Sequence, residues 1–369
     1  MNRLFRWDQM GLFLLALAAG ILPFAVPEVC AAALREGLAL CSGPLLLSLF
    51  PFLVVSRLLI QCPESDLLAL PFRLAAWGIG IRTPCAARVL CIGFLGGFAP
   101  AASAAAQAVR TGQLTAEEAD ALLPACICSG PSFVVLTVGQ SLLGSAELGV
   151  LLFASQITAN YLTAALLNRF AGMRSVKPGS AAPASPAPPR LDEILADAAI
   201  TYCKLCGFIL FFRMLAAGAG ALLPAGAGTL CSILLEVCSG CDLASRTGRW
   251  GSLLCCAALS VQGLSVLLQV RTICPPEMTL RPLYRARMLH LPLSLALFYL
   301  LLPGGEADVF STLPARVLLM RRVPPDCALL VFAVCCMAAC TLRSGIRQVE
   351  QKQMARNAGG CCINSKTLL

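Results

Sequence analysis

Glu236 is the residue whose type and surroundings point most directly to chemistry. It lies between Cys231-Ser-Ile-Leu-Leu and Val-Cys-Ser-Gly, so an ionisable side chain stands deep in an apolar stretch. In such surroundings a carboxylate is costly unless it is paired, faces water or is protonated. Glu236 therefore predicts either a ligand for a coupling cation, a proton or a substrate, or a structural partner of an arginine.

Two arginines stand at matching places in two similar segments. Arg57 lies in Val54-Val-Ser-Arg-Leu-Leu and Arg213 lies in Leu210-Phe-Phe-Arg-Met-Leu, late in an apolar run in both cases. A fixed cation there would attract an anionic substrate or the Glu236 carboxylate. A long arginine side chain near a helix end also reaches the membrane surface easily, and the sequence leaves both interpretations open.

Two short polar motifs predict helix starts. In the first motif, which contains Pro131, proline suits the first turn of a helix because its missing N–H would have no partner there anyway. A helix that starts inside the membrane presents free N–H groups and a positive dipole end, which bind a carboxylate. An ordinary start at the membrane surface is the alternative. The motifs are Ser129, Gly130, Pro131 and Ser132, and Gln262, Gly263, Leu264 and Ser265, with Gln262 as an uncharged hydrogen-bonding group.

These residues must be positioned by helices that cross a membrane. Of the 369 residues, 58% are hydrophobic and 13% are charged, and the mean hydropathy is +0.80, whereas a soluble protein carries roughly 25% charged residues. Apolar runs of about 20 residues, the spanning length, recur along the chain. They lack the alternation of strands, and lipid tolerates only helices or closed barrels. The sequence therefore predicts an all-α, polytopic protein of the cell membrane.

We expect about eight transmembrane helices and two re-entrant or broken hairpins. The hairpins are 85–111, with a break at 96–100, and 228–241, with a break at 238–241. Irregular backbone is tolerated at membrane depth only where protein or a water-filled cavity surrounds it. One complete span at 86–109 and a surface loop at 228–241 are the alternatives. The predicted spans are 10–27, 44–61, 130–146, 147–168, 205–223, 251–270, 289–303 and 327–342.

The net charge of +9 is carried largely by short loops between the apolar runs. This distribution is typical of cytoplasmic loops and predicts a cytoplasmic N-terminus, with a membrane rather than a nucleic acid as partner. Loops near Arg73–Arg88, Arg169–Arg190 and Arg271–Arg287 fall inside. The loops near Arg246–Arg249 and Arg316–Arg322 fall outside, which departs from the preference of positively charged loops for the cytoplasmic side.

A Pro/Ala/Ser linker divides the chain into two similar halves. Arg57 matches Arg213, Gly130-Pro-Ser132 matches Gly263-Leu-Ser265, and a break falls between these landmarks in each half. Because the opening helices would run in opposite directions, we predict an inverted repeat with a substrate site near the midplane. The predicted parts are an N-terminal helix (1–27), a first repeat (28–170), the linker (171–190), a second repeat (191–303), and a C-terminal helix with a polar tail (304–369).

Other polar features are interpreted as structural. Thr115-Ala-Glu-Glu118 is a capping box that opens a helix over 116–124, interpreted as a surface connector. His290 is placed at the membrane interface, with a proton-relay role as the alternative. The pairs Cys203/Cys206 and Cys238/Cys241 lack zinc-ribbon spacing, so helix packing is favoured over metal binding. No nucleotide or hydrolase motif is present, and we predict neither an enzyme nor a cofactor.

Several motifs resemble one family in order and spacing. In the first half these are Leu34-Arg-Glu-Gly-Leu38, Leu49-Phe-Pro-Phe-Leu-Val-Val-Ser56, Gly112-Gln-Leu-Thr-Ala-Glu-Glu-Ala119, Ser129-Gly-Pro-Ser-Phe133 and Val138-Gly139; in the second they are Glu236-Val-Cys-Ser-Gly240, Gly263-Leu-Ser-Val266, Gln269-Val270 and Arg287-Met-Leu-His290. Together they resemble the YlbJ-like sporulation integral membrane proteins, which carry a nucleoside-recognition "Gate" domain and are similar to concentrative nucleoside transporters.

The resemblance implies transport of dipicolinic acid across the outer forespore membrane during sporulation. It implies as site residues Pro100, Ser129, Gly130, Pro131, Glu236, Ser239, Gly240, Gly263, Ser265 and Gln269. Two motifs depart from the family. Gly97-Phe-Ala-Pro-Ala-Ala102 replaces Gly-Tyr-Pro-x-Gly-Ala, and Glu236-Val-Cys-Ser-Gly240 replaces Glu-Leu-Thr-x-Gly, which leaves the substrate open.

Together these observations predict a secondary transporter of a small anionic solute. Half-helix starts near Ser129 and Gln262 would bind the anion, with Arg57, Arg213 and Ser132 as further candidates, and Glu236 would bind a coupling cation or proton. The alternative is a non-transporting structural or assembly protein needed for spore formation. The driving ion, the direction of transport and a homo-oligomeric state stay open.

Overall fold

A computed structural model of the chain describes residues 7–61, 63–171 and 190–302. Throughout these residues the regular structure is helical, which confirms the all-α part of the predicted fold class. The crossing predicted at 327–342 and most of the linker 171–190 lie outside the described residues.

The first part of the chain consists of α-helices and one π-helix. Proline begins α2, α3 and α5, where its missing N–H has no intrahelical partner to lose. The elements are α1 (Trp7–Ala25), α2 (Pro27–Ser42), α3 (Pro44–Gln61), α4 (Leu70–Gly78), α5 (Pro84–Gly96), α6 (Phe98–Arg110), α7 (Ala116–Cys126), the π-helix (Ser132–Leu142) and α8 (Ala146–Phe170).

The second part begins with the longest helix among the described residues. Helix α9 starts at Leu191, well before the predicted 205–223 span, because Asp192 and Glu193 stabilise its N-terminal turn. The elements are α9 (Leu191–Leu222), α10 (Ala225–Leu235), α11 (Val237–Ser245), α12 (Gly251–Val261), α13 (Gly263–Ile273) and α14 (Arg281–Leu301).

Four stretches of the described chain are long and apolar enough to cross a membrane. They are Pro27–Leu47, Ala146–Phe170, Leu191–Leu222 and Gly248–Ile273. Fewer full-length spans are therefore present than the sequence predicts. Shorter helices occupy 10–27, 44–61 and 130–146, and arginines occupy the first turns of α14. The stretch Pro27–Leu47 was not predicted as a span.

Several of the apolar stretches are interrupted near their middle. The predicted hairpin 85–111 breaks at Gly97, and the predicted hairpin 228–241 breaks at Glu236. Helices α12 and α13 occupy the span predicted at 251–270, but they do not form one continuous helix, because Gln262 adopts a left-handed conformation (φ 66°) between them. The helix start predicted near Gln262 is thus present as the start of α13. A fourth interruption, 127–131, separates α7 from the π-helix.

The interruptions touch one another in pairs. A methyl group on Gly97 would lie 2.7 Å from the backbone nitrogen of Gly130, and one on Gly263 would lie 2.9 Å from the backbone nitrogen of Glu236. Both glycines also have positive φ angles, 80° and 70°. Only glycine meets both demands without strain, so these two positions set how closely the broken helices approach.

The α2–α3 segment packs antiparallel against α9. Gly37 accommodates the side chain of Leu210. Further along α2, the Tyr202 hydroxyl donates a hydrogen bond to the Cys41 carbonyl, and Phe50 of α3 packs edge-to-face against the same tyrosine. Since increasing residue numbers on α2–α3 meet decreasing numbers on α9, the opening helices of the two halves run in opposite directions.

The prediction of a surface connector at 116–124 is wrong. Thr115 and Glu118 form the predicted capping box, but residues 118–126 of the helix are buried. Asp120 accepts hydrogen bonds from the backbone nitrogens of Thr279 and Leu280, at 2.8 and 3.1 Å. The carboxylates that gave this helix its polar appearance instead satisfy backbone groups at its own start and before α14.

We expect Gly97→Ala to destabilise the protein more than Gly112→Ala. Both residues have positive φ angles (80° and 70°), but a methyl group on Gly112 meets nothing within 4 Å. The positive φ costs each variant about 1–3 kcal/mol, and Gly97→Ala adds a backbone clash as well as a φ/ψ combination (80°, −163°) that is almost exclusive to glycine. Thermal unfolding in detergent measures the difference; equal losses would show that the approach to Gly130 is not tight.

Candidate functional site

A cavity of about 60 Å³ lies where the helix interruptions meet, and we call it the central cavity. Groups from both halves line it, including one carboxylate and one amide. Its lining is Leu45, Leu49, Leu95, Gly96, Phe98, Ser129, Gly130, Ser132, Phe133, Ile209, Glu236, Val237, Cys238, Val266 and Gln269. Of the predicted site residues, Ser129, Gly130, Ser132, Glu236 and Gln269 are therefore brought together.

Glu236 is buried, with 2% of its surface exposed, and its carboxylate begins α11. The oxygen Oε1 accepts a hydrogen bond from the backbone nitrogen of Cys238 at 2.8 Å, and Oε2 accepts one from Ser239 at 2.7 Å. The carboxylate thereby satisfies two of the N–H groups that lack an intrahelical partner at the start of α11. Ser239 thus contributes its backbone to the site, while its side chain is absent from the cavity wall.

Gln262 joins the two halves. Its Nε2 donates to the Leu259 carbonyl at 3.1 Å and lies 3.5 Å from the Ser129 hydroxyl of the first half. The Gln262 Oε1 atom is buried without a hydrogen-bond partner among the described residues. Because a buried amide oxygen is costly when unsatisfied, this atom marks a place where a ligand or water would bind.

Gln269 lies on α13 beside the central cavity. Its Nε2 donates to the Ser265 hydroxyl, one turn earlier, at 2.9 Å. Its Oε1 is a second buried amide oxygen that finds no partner in the described parts of the chain. Ser265 is buried and holds the amide group rather than facing the cavity directly.

Other residues that the sequence proposed serve the packing of the interruptions. The Pro100 ring sits against Gly96 in the first turn of α6, and Gly240 lets α11 approach Ile233 of α10. Gly263 abuts Leu235 and Glu236. None of these residues, nor Pro131, belongs to the cavity wall.

The two matching arginines form reciprocal ion pairs outside the central cavity. Arg57 Nη1 of α3 lies 2.6 Å from Asp197 Oδ2 of α9, and Arg213 Nη2 of α9 lies 2.8 Å from Glu36 Oε2 of α2. Arg57 is buried and Arg213 is partly buried, and each pairs with an exposed carboxylate of another helix.

Arg287 is a structural contributor that the sequence did not single out. It is buried, with 7% exposed, and donates to the carbonyls of Ile127 at the end of α7 and of Ser260 (3.4 Å) at the end of α12. Helix C-terminal ends carry partial negative charge. One guanidinium therefore holds the ends of both half-helices whose continuations line the central cavity.

His290 follows one turn later on α14 and is also buried. Its Nε2 lies 3.2 Å from the Gln156 carbonyl of α8, so the predicted interfacial position is wrong. The nearby Ser260 and Ser294 hydroxyls share a hydrogen bond at 2.5 Å. From the sequence, the arginines at the start of α14 are interpreted as part of a loop. They lie on the helix instead, and Arg287 and His290, three residues apart, face inward on the same side of it.

No family model matches the sequence, and neither the curated proteins nor the solved structures contain a match to it.

We expect Arg287→Gln to destabilise the protein by about 1–3 kcal/mol, the usual cost of leaving buried acceptors unsatisfied. Arg285→Gln is the matched control, because Arg285 is exposed on the same helix. Thermal unfolding of both variants in detergent checks the expectation. If they unfold at the same temperature, Arg287 does not hold the two half-helices.

Proposed function

We propose that the chain is a secondary transporter that moves a small anionic solute through a site between two inverted repeats. The convergence of broken helices from both halves on the central cavity supports this most strongly. Interrupted backbone at membrane depth exposes hydrogen-bonding groups, and two buried amide oxygens there have no partner in the described residues. Transporters of this architecture bind substrate at such interruptions.

The charge balance at the interruptions favours an anion. Four of the described helices begin at these interruptions, and the N-terminal end of each carries a partial positive charge. They are α6, the π-helix, α11 and α13. Glu236 neutralises the N-terminal end of α11 alone. Arg287 offsets the negative C-terminal ends of α7 and α12. The positive helix ends that remain uncompensated favour the binding of a small acid. The family resemblance suggests dipicolinic acid as this solute and the outer forespore membrane as the location.

Glu236 is the proposed binding group for the coupling cation or proton. Its carboxylate accepts both backbone N–H groups at the start of α11. Protonation would remove the negative charge and weaken these bonds. The charge state of Glu236 would thereby be linked to the position of α11, which packs beside the cavity.

The order of helices supports two inverted repeats. In each half a helix is followed by a broken pair, a second broken pair and a closing helix: α3, α5–α6, α7–π-helix and α8, with α4 inserted after α3, then α9, α10–α11, α12–α13 and α14. The reciprocal ion pairs of Arg57 and Arg213 agree with a two-fold relation, in which each half offers its partner the same contact.

Substrate binding requires the helices around the central cavity to separate. A volume of about 60 Å³ holds only a few water molecules. Alternating access therefore needs a second arrangement in which the contacts of Gly97 with Gly130, or of Gly263 with Glu236, are loosened.

Glu236→Gln should reduce uptake of labelled dipicolinate by proteoliposomes about tenfold or more, because the variant cannot carry the coupling charge. Glu118→Gln is the matched control, since Glu118 is also a buried helix cap but lies away from the cavity. Membrane insertion is compared by flotation. Full uptake by Glu236→Gln would remove this residue from the mechanism.

The same assay with nucleosides and other dicarboxylates identifies the substrate class. No uptake of any compound by correctly inserted protein, together with binding of sporulation partners, would favour the assembly role over transport.

Protease sites inserted at Gly112 and Gly248 should be cut from opposite sides of the membrane. Gly112 follows α6 and Gly248 follows α11, so inverted repeats place these exposed turns on different faces. A site at Glu277 should share the side of Gly112. Cleavage of Gly112 and Gly248 from one side would contradict the inverted arrangement.

A further inference from the structure

A second cavity of about 150 Å³ lies at the ends of α3, α6 and α13, against the first half of α9. We call it the basic vestibule. Its polar lining consists of Arg57, Ser103, Arg110, Asp197, Thr201, Lys204, Gln269 and Thr272. It is larger than the central cavity, and Arg110 and Lys204 at its edge are exposed.

Three buried polar atoms in the vestibule wall have no hydrogen-bond partner among the described residues. They are Arg57 Nε, the Ser103 hydroxyl oxygen and Gln269 Oε1. Ser103 and Gln269 are each only 2% exposed. Because an unsatisfied buried polar atom is costly, three of them on one wall indicate a place built to bind a polar ligand.

The charges of the vestibule select the ligand. Asp197 neutralises Arg57, and its side chain is 56% exposed, toward solvent. Arg110 contacts only the Ile273 carbonyl, at 3.4 Å, and neither Arg110 nor Lys204 forms an ion pair with any described residue. Two positive charges therefore remain uncompensated, which matches a ligand with two negative charges.

Gln269 connects the two cavities. Its side chain belongs to the walls of both the basic vestibule and the central cavity. A ligand that leaves the vestibule would therefore meet the same amide group at the central cavity. We propose that the basic vestibule is a binding site for a small dianion, occupied before the central cavity is reached; its place on a transport route rests on the proposed function.

The test uses the full chain in nanodiscs, with dipicolinate as the dianion and picolinate as the matched monoanion. Arg110→Gln with Lys204→Gln should weaken dipicolinate binding about tenfold or more at low salt, since the variant removes both uncompensated positive charges near the ligand. Picolinate binding should be weaker in the unaltered protein and change less. Arg249→Gln, at an exposed arginine beside Trp250 and away from the vestibule, is the control and should bind as the unaltered protein does.

Flux through proteoliposomes separates this inference from the proposed function. A charge-selective binding loss without any flux in the unaltered protein would support the vestibule and contradict transport. Flux with an unchanged KM and unchanged binding in the double variant would support transport and overturn the vestibule. Equal losses for dipicolinate and picolinate would likewise overturn it, because a dianion site must distinguish them.

Discussion

The rest of the structure depends on one constraint: the backbone N–H and carbonyl groups at broken helix ends must find hydrogen-bond partners. A helix that stops in apolar surroundings leaves N–H and carbonyl groups without partners, and lipid supplies none. The chain meets this demand with two charged side chains: Glu236 accepts the free N–H groups of α11, and Arg287 donates to the carbonyl ends of α7 and α12. Burial of each ion is stabilised by the helix ends that it serves. The carboxylate and the guanidinium thus allow irregular backbone to exist where a ligand can reach it.

The frame around these breaks is a pair of long antiparallel segments. The α2–α3 segment and α9 are tied at separate points by Arg57 with Asp197 and by Arg213 with Glu36. Between these points the contact is made by small and aromatic side chains, such as Gly37 and Tyr202. Close approach of small residues is the usual basis of helix packing in membranes, where lipid tails compete equally well for apolar surface. The frame fixes the distance between the halves, while the broken helices inside it carry the exposed polar groups.

Much of this arrangement follows from local sequence. Low charge and long apolar runs predict helices in a membrane, and Gly97, Glu236 and Gly130-Pro131 mark interruptions by their residue types. The polar motif at Gln262 predicts the helix start found there, but the left-handed conformation of the glutamine itself has no signature in sequence. The roles of Asp120, Arg287 and His290 were missed. Each is a polar residue near an apolar run, and only tertiary contacts decide whether it faces solvent or a distant carbonyl.

The π-helix makes the two halves unequal. Where the second half continues from its break with α13, the first continues with a wider coil whose backbone bonds reach one residue further, as between Leu143 and Val138. Rewinding one such turn into the narrower form would rotate the preceding residues about the axis by about 100° and swing the Ser132 hydroxyl relative to the membrane. Gly139 and Gly149 pack backbone to backbone at the far end of this coil, which anchors it there. A rotary displacement of this kind has no counterpart in the described second half, so a rearrangement of the broken helices need not be the same in the two halves.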